Sequence, residues 1–238
     1  MEKNFKEKIV RILKKTLLIL SFVVTIIVLI DYMWVMSGSN KWELEIDKDG
    51  VQVYSLKTPG DKLMRFKAII RGDYTLSQLA ALFIIDDDLE TCKDWLPNCV
   101  EYTRIKEMDS RTMYDTDRWL LDFPFPFSDR EILLRTIISQ DKKTKAVTAD
   151  IVAVPNVLPQ TDGVVRVVRM HNVWKYIPLE NGQTEVQFIQ DVDMGGLFPV
   201  FLLNLSSAEE NFKFMHDELP KFLSKEKYRK AKISFIKE

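Results

Sequence analysis

The sequence predicts an α+β domain behind a single membrane-crossing helix: a long antiparallel sheet closed by one helix near the carboxy terminus. Three observations carry this reading. Residues Thr16 to Ile30 contain no charge. From Asn98 to Asp193, six strand-like segments follow one another, each bounded by turn chemistry, with no helical period between them. After Gly195-Gly196, an apolar run to Leu205 leads into an amphipathic stretch from about Ser207, where Phe212, Met215, Leu219, Phe222 and Leu223 recur at three- and four-residue spacing.

Taken in order, the chain opens with Lys3, Lys6, Lys8, Arg11, Lys14 and Lys15 against Glu2 and Glu7. The charge-free run that follows falls short of the roughly 20 residues that span a bilayer, but Tyr32 to Val35 extends it, and Tyr32 and Trp34 suit an interface. A transmembrane helix is expected over about residues 12–35, within an anchor segment 1–36. The competing reading is a cleaved signal peptide, since Ser37-Gly38-Ser39 are small. Against it stand the lack of an A-x-A-like site and the Asp31, Tyr32 and Trp34 that separate the apolar run from those residues. The lysine excess on the amino-terminal side places that terminus in the cytoplasm and the main domain on the non-cytoplasmic face. Cleavage would instead give an exported soluble protein.

Ser37 to Asn40 reads as a flexible linker, and the domain is expected over 41–224 with a basic, frayed tail at 225–238. Val51 to Ser55 and Leu63 to Ile70 read as strands. Leu76, Leu79, Leu82 and Phe83 fall at helical spacing behind a Thr75 cap, and a short helix is expected over Asp86 to Lys93. The six strands cover 99–107, 111–121, 130–140, 146–154, 164–177 and 184–193, with turns at Asp109-Ser110, Asp162-Gly163 and Asn181-Gly182. Consecutive strands without helices between them imply antiparallel neighbours. Ser206 or Ser207, three residues before Glu209 or Glu210, reads as the cap of the last helix, and Pro220 predicts a kink or restart.

Composition narrows the function. Of 238 residues, 46% are hydrophobic and 29% charged, which is ordinary globular material, and the net charge of -1 gives no general attraction to nucleic acid. No spacing suggests a catalytic triad, a phosphate loop or a metal cluster, and no cofactor is implied. Cys92 and Cys99 match no zinc or CxxC pattern; they are either two partly buried thiols or a short-loop disulfide, the latter only in an oxidising compartment.

Three motifs then point one way. Trp119-Leu120-Leu121-Asp122-Phe123-Pro124-Phe125-Pro126-Phe127-Ser128-Asp129-Arg130-Glu131 resembles the W-x-x-x-(aromatic)-P-(W/F)-P-x-S-x-R-D motif of START (StAR-related lipid-transfer) domains. Gly163-Val164-Val165-Arg166, with Trp174-Lys175-Tyr176-Ile177-Pro178, is similar to their G-V-V-R and aromatic-x-x-x-P pattern. Asp193-Met194-Gly195-Gly196-Leu197-Phe198-Pro199, with Leu203-Asn204, resembles their D-P-G-G-x-x-P…N signature. The resemblance covers about residues 41–224. It implies a helix-grip fold, a curved antiparallel sheet wrapped around a long carboxy-terminal helix with an internal hydrophobic tunnel for a lipid or other hydrophobic molecule. The loop with Phe123, Phe125 and Phe127 then lies near the entrance, as a gate, a membrane-touching tip or a packed strand connection.

The expected ligand-facing residues are Met113, Asp117, Trp119 and Leu121; Ile132, Leu134 and Thr136; Met170, Trp174 and Phe188; and Phe212, Met215, His216 and Leu219 of the last helix. Asp117 matches a buried acid of the steroidogenic members, yet Thr136 stands where their arginine would be, so Asp117 must find another donor or a proton. Trp119 matches a choline-enclosing aromatic, but Ile132 leaves that box incomplete. The stripe on the last helix has a plainer reading as core. The expected function is membrane-tethered lipid binding, presentation or transfer without catalysis, with a lipid and a membrane as partners. The alternatives are a polyketide cyclase or aromatase-like enzyme, drawing on Asp115, Asp117, Asn172, Gln190 and His216, and a ligand sensor.

Overall fold

The computed structural model describes residues 2–85, 88–108 and 112–238, so the turn expected at Asp109-Ser110 and the start of the helix expected at Asp86 lie outside the described residues. The chain forms two compact units: residues 1–41 with 57–62, and residues 42–56 with 63–238.

The first unit is built on α1 (Glu2–Met36). Its stretch Arg11–Met36 is 26 residues long, free of charge from Thr16 to Ile30, and unburied by protein. At 1.5 Å per residue it reaches about 39 Å, enough to cross a bilayer with some tilt. The sequence expects a flexible linker after it, but the structure shows a folded cap. α1 has no basic residue in its last turn. Lys57 supplies the cation instead, donating to the carbonyls of Val35 (3.4 Å), Ser37 (3.3 Å), Thr58 (3.3 Å) and Asp61. Gly60 N donates to Val35 O at 2.7 Å, and Asn40 N to Lys57 O at 3.1 Å. Trp34 Nε1 donates to Lys62 O at 3.0 Å, and Lys62 Nζ meets both oxygens of Asp31 at 2.8 Å. A side chain at Gly38 (φ +116°) would strike Lys57 O.

Among its described residues the second unit holds an eleven-stranded sheet with strands β1 (Glu43–Lys48), β2 (Val51–Leu56), β3 (Arg65–Gly72), β4 (Cys99–Lys106), β5 (Thr116–Leu121), β6 (Arg130–Gln140), β7 (Val147–Ala153), β8 (Val165–Arg166), β9 (Arg169–Pro178), β10 (Thr184–Gln190) and β11 (Val192–Asp193). The main order is β1-β2-β3-β10-β9-β7-β6-β5-β4, antiparallel throughout, with β11 on β9 and β8 parallel to β6. It is the curved sheet expected, with differences that have local causes. β1 is a further strand paired to β2, in which Leu44 and Ile46 alternate with Glu43, Glu45 and Asp47. The expected strand 111–121 is regular only from Thr116, because Met113 (φ 54°) turns the backbone off the pleat.

Between β3 and β4 lie α2 (Leu76–Ala80), a 3₁₀ turn (Ala81–Phe83) and α3 (Leu89–Trp95). Thr75 caps α2 by accepting from Gln78 N, as expected, and Asp88 caps α3 through Thr91 N. Cys92 and Cys99 are joined by a disulfide that ties α3 to the start of β4.

The terminal helix begins earlier than the sequence suggests. α4 spans Val200–Lys213, starting directly after Pro199, so Ser206 and Ser207 lie inside it and do not cap it. A π-helical turn (Phe214–Glu218) follows, then α5 (Leu219–Ser224), with Pro220 in the first turn of the restart. The missing N–H of Pro220 is the reason for the break. The tail is docked, not frayed. It forms α6 (Glu226–Arg229), buries Tyr228 and Ile236, and ends with the Glu238 carboxylate accepting from Leu76 N (2.7 Å) and Ser77 N (2.9 Å) at the start of α2.

Two neighbouring residues of β6 fix this arrangement. Arg130, 1% exposed, donates to Met194 O and Gly195 O, both at 3.1 Å, and to Ser128 O, between the rings of Phe123 and Phe198. It pins the turn at Gly195 (φ +66°) and Gly196 (φ +61°), from which α4 departs. Glu131, fully buried on the opposite face, accepts from Arg118 Nε (2.6 Å), Thr161 Oγ1 (2.7 Å) and Arg166 Nε (2.8 Å). Burial alone would raise its pKa, but the hydrogen bonds from Arg118, Thr161 and Arg166 hold it below the usual carboxylate range. Arg130→Lys keeps the charge but cannot reach both sides of the turn. It is expected to cost about 3 kcal/mol, read as a lowered unfolding midpoint of the full chain in detergent.

Candidate functional site

Because side chains alternate across a strand, the inner faces of β4 to β7, β9 and β10 converge under the terminal helix. Helix and sheet do not close completely. Between them lies a cavity of about 520 Å³, within the range of small-molecule sites.

One wall is aromatic. Trp174 of β9 pairs across the ladder with Phe188 of β10, and their rings stack at 4.4 Å. Trp95, at the end of α3, stacks on Phe83 (5.4 Å) and Phe214 (5.6 Å) and meets Trp174 edge-on at 5.8 Å. Leu134, Ile151, Met170 and Leu82 add to the apolar lining.

The opposite side is polar. The β4–β5 register sets Tyr102 against Trp119 and Arg104 against Asp117. Arg104 Nε lies 2.6 Å from Asp117 Oδ1 and donates to the Tyr102 hydroxyl at 2.9 Å; that hydroxyl donates to Asp117 Oδ1 at 3.0 Å. The donor Asp117 requires thus comes from the neighbouring strand, not from position 136. Thr136 instead pairs its backbone with Asp115, whose Oδ1 accepts from Thr136 N at 3.2 Å. Burial and then the Asp117 charge push Asp115 up to about 6. Burial also raises Asp117, against the pull of Arg104 and Tyr102. Burial, followed by the Asp117 charge, keeps the Tyr102 phenol well above its ordinary value, so it remains a neutral donor.

Of the residues expected to face a ligand, Asp117, Trp119, Leu134, Thr136, Met170, Trp174 and Phe188 line this cavity. Leu121 and Ile132 share the inner face but sit deep in the core toward Arg130, and Met113 is carried away by its turned backbone. Phe212, Met215 and Leu219 are buried as core. Asn211, Phe214 and Glu218, which share the three- and four-residue spacing one position to the side, reach the wall instead. His216 is 41% exposed by side chain and paired with Asp217 at 2.7 Å. Trp95, Asn211 and Phe214 were not foreseen. Trp95 is legible only as a large aromatic inside the Cys92–Cys99 loop, and nothing in the local sequence tells the face with Asn211 and Phe214 from the more apolar stripe beside it. Phe123 and Phe127 pack on Phe198 at 5.6 and 5.1 Å, while Phe125 is 96% exposed; none of the three lines the cavity.

No family model matches the sequence. A curated relative, described only as an uncharacterised protein of Pseudomonas aeruginosa, is 26% identical over 168 residues, covering 68% of this chain and 77% of that one. Among solved structures, a STAR-related lipid transfer protein fragment from Xanthomonas axonopodis superposes with a TM-score of 0.65 at 23% identity, over 76% of this chain and 98% of that one. Human STARD10 gives 0.65 at 18% identity, over 80% and 76%. Human StAR-related lipid transfer protein 5 gives 0.58 at 15% identity, over 76% and 86%. The fold is the helix-grip fold of these START structures.

The sign of the pH dependence follows from the acid pair. A carboxyl whose folded-state pKa is raised contributes stability that is present below its unfolded pKa and lost as pH rises through the folded one. For Asp115 that window runs from its ordinary 3.8 to about 6, and Asp117 acts in the same direction. Stability should fall across this window by on the order of 2 kcal/mol. Asp115→Asn, which keeps the acceptor for Thr136 N, should flatten the fall and raise the unfolding midpoint at pH 7.

Proposed function

We propose that this protein binds one lipid or other hydrophobic small molecule in the cavity between sheet and terminal helix, at the membrane that holds its amino-terminal helix. The observation that carries the reading is the cavity itself, about 520 Å³ with a wall of Trp95, Trp174, Phe188 and Phe214. A void of that size costs stability unless something fills it. The lipid-transfer names of the START structures that share the fold support the same reading. The role is binding and hand-off, not catalysis. Asp115, Asp117, Asn172 and Gln190 do reach the cavity wall, but His216, the sequence's candidate base, pairs with Asp217 on the surface.

The amino-terminal helix is assigned as a retained anchor with a cytoplasmic amino terminus and the main domain on the non-cytoplasmic face. Two features support this. The small residues Ser37 and Gly38, where a signal peptidase would act, are folded into the Lys57 cap. The Cys92–Cys99 disulfide fits an oxidising compartment.

A tether of this kind favours local extraction or presentation of a lipid over shuttling. The membrane-touching surface is assigned to Phe125, Leu197, Phe201 and Leu205, which are 96%, 93%, 66% and 79% exposed. Residues 194–208 contain no charge, so this surface can enter a headgroup layer without desolvating an ion.

Native mass spectrometry of the full chain released from micelles should show one bound lipid per chain. Met170→Trp, which fills the cavity, should reduce occupancy by about tenfold or more with little change in unfolding midpoint. A protein that carries no lipid and takes none from vesicles would defeat the proposal. In proteoliposomes, the fluorescence of Phe125→Trp should be quenched by brominated lipid; unquenched emission would remove that loop from the membrane-touching surface.

A further inference from the structure

The cavity wall carries two buried carboxyl groups and one unpartnered amide oxygen, against one unpartnered donor, Trp119 Nε1. Asp115 and Asp117 stand two residues apart on one strand face, 2% and 4% exposed, with the guanidinium of Arg104 reaching Asp117. Across the cavity, the amide of Asn211 has a fixed orientation, because its Nδ2 donates to both Gln190 Oε1 and Ser207 O at 2.7 Å. Its Oδ1 is therefore an acceptor, and it has no donor among the described residues although Asn211 is 3% exposed. Of the donors on the same wall, the Tyr102 hydroxyl is committed to Asp117, and Trp119 Nε1 is left to meet an acceptor, which a ligand hydroxyl can supply while it donates to Asn211.

Charge follows the same bias. The wall holds Asp88, Asp94 and Glu218 nearer α3 and the π turn, and Glu210 beside Asn211, with Lys213 as the lining cation. Lys225 and Lys221 neutralise Asp94 and Glu218 from behind. Carboxylates still outnumber cations, and a phosphate or carboxylate brought to the buried Asp115 and Asp117 meets like charge.

We infer that the ligand's polar end is a hydrogen-bond donor without net negative charge, a hydroxyl or a protonated amine on an apolar body, received by Asp115, Asp117 and Asn211. The inference rests on the reading of the cavity as a lipid site and names the class of lipid. A phosphodiester with a quaternary amine offers no donor, and an anionic headgroup is repelled. Either leaves the Asn211 acceptor unpaired and the acid pair unrelieved.

The test is a competition. Full-length protein in detergent is mixed with vesicles containing equal amounts of diacylglycerol, phosphatidylethanolamine, phosphatidylcholine and phosphatidylglycerol with matched acyl chains. Bound lipid is then identified by native mass spectrometry. Diacylglycerol or phosphatidylethanolamine should be recovered at least about tenfold over both others, and the ratio of these two tells a hydroxyl from an amine. The double variant Asp115→Asn, Asp117→Asn should bring phosphatidylglycerol to within about twofold of the preferred lipid. Equal or preferential uptake of phosphatidylglycerol or phosphatidylcholine by the natural chain overturns the inference while lipid binding stands. So does a double variant that binds lipid with unchanged selectivity. Uptake of no lipid overturns both readings together.

Discussion

The second unit depends on two adjacent residues that point in opposite directions. Arg130 and Glu131 are consecutive on β6, so the pleat sends one to the inner face and the other to the outer. On the inner face, Arg130 ties the end of β6 to the backbone of Met194 and Gly195, and so fixes where α4 leaves the sheet. On the outer face, Glu131 gathers Arg118 of β5, Arg166 of β8 and Thr161 of the preceding loop, and Arg166 in turn holds the carbonyls of Pro155 (2.8 Å) and Leu158 (2.6 Å). A buried charge pair of this kind adds little stability over a well-packed apolar substitute, but it specifies one arrangement, because each partner abandoned would be a buried, unpaired ion.

That specification is what allows the cavity to persist. An apolar helix free to settle on a sheet would sink until the void closed. Here α4 is held at two places before it reaches the cavity. Arg130 holds the turn, and Asn204 Oδ1 accepts from Met64 N at 2.9 Å ahead of β3. Trp95 meets the helix from the other side, stacked on Phe214 and carried by an α3 that the disulfide fastens to β4. The sheet, the helix and α3 are thus each restrained independently, and the space between them remains open.

Much of this was legible in the sequence, for physical reasons. Strand alternation and the turn residues at Asp162-Gly163 and Asn181-Gly182 mark the succession of strands, and alternation from an inward Trp119, with the pairing of neighbouring strands, puts Asp117, Trp119, Leu134 and Thr136 on one face. The three motifs turned out to be one mechanical unit, since the arginine of the first pins the glycines of the third and the glutamate beside it binds the arginine of the second. What escaped depends on contacts distant in sequence. The partner of Asp117 is set by the β4–β5 register, which no local pattern reveals. The tail read as frayed because its basic residues are visible locally, whereas the backbone donors awaiting Glu238 at Leu76 and Ser77 lie about 160 residues away. The linker misled in the same way, since Lys57, which orders it, belongs to the loop after β2.

The acid pair shows where stability has yielded to another requirement. Replacing Asp115 and Asp117 with apolar residues of similar size would remove two desolvated carboxyl groups and let Arg104 and Tyr102 turn outward, a change that buried ion pairs elsewhere often tolerate or even profit from. The strand around them is otherwise built for burial, with Leu121 at its end and Leu134 and Ile132 opposite. The sequence nevertheless places Asp115, Asp117 and Trp119 in the alternating positions that face the cavity, and puts the polar Asn211 and Gln190 on the facing side. Packing gives no account of that choice. A ligand with an apolar body and a donating end does, because its body fills the void that the fixed helix leaves and its donor relieves the carboxyl groups that the fold has desolvated.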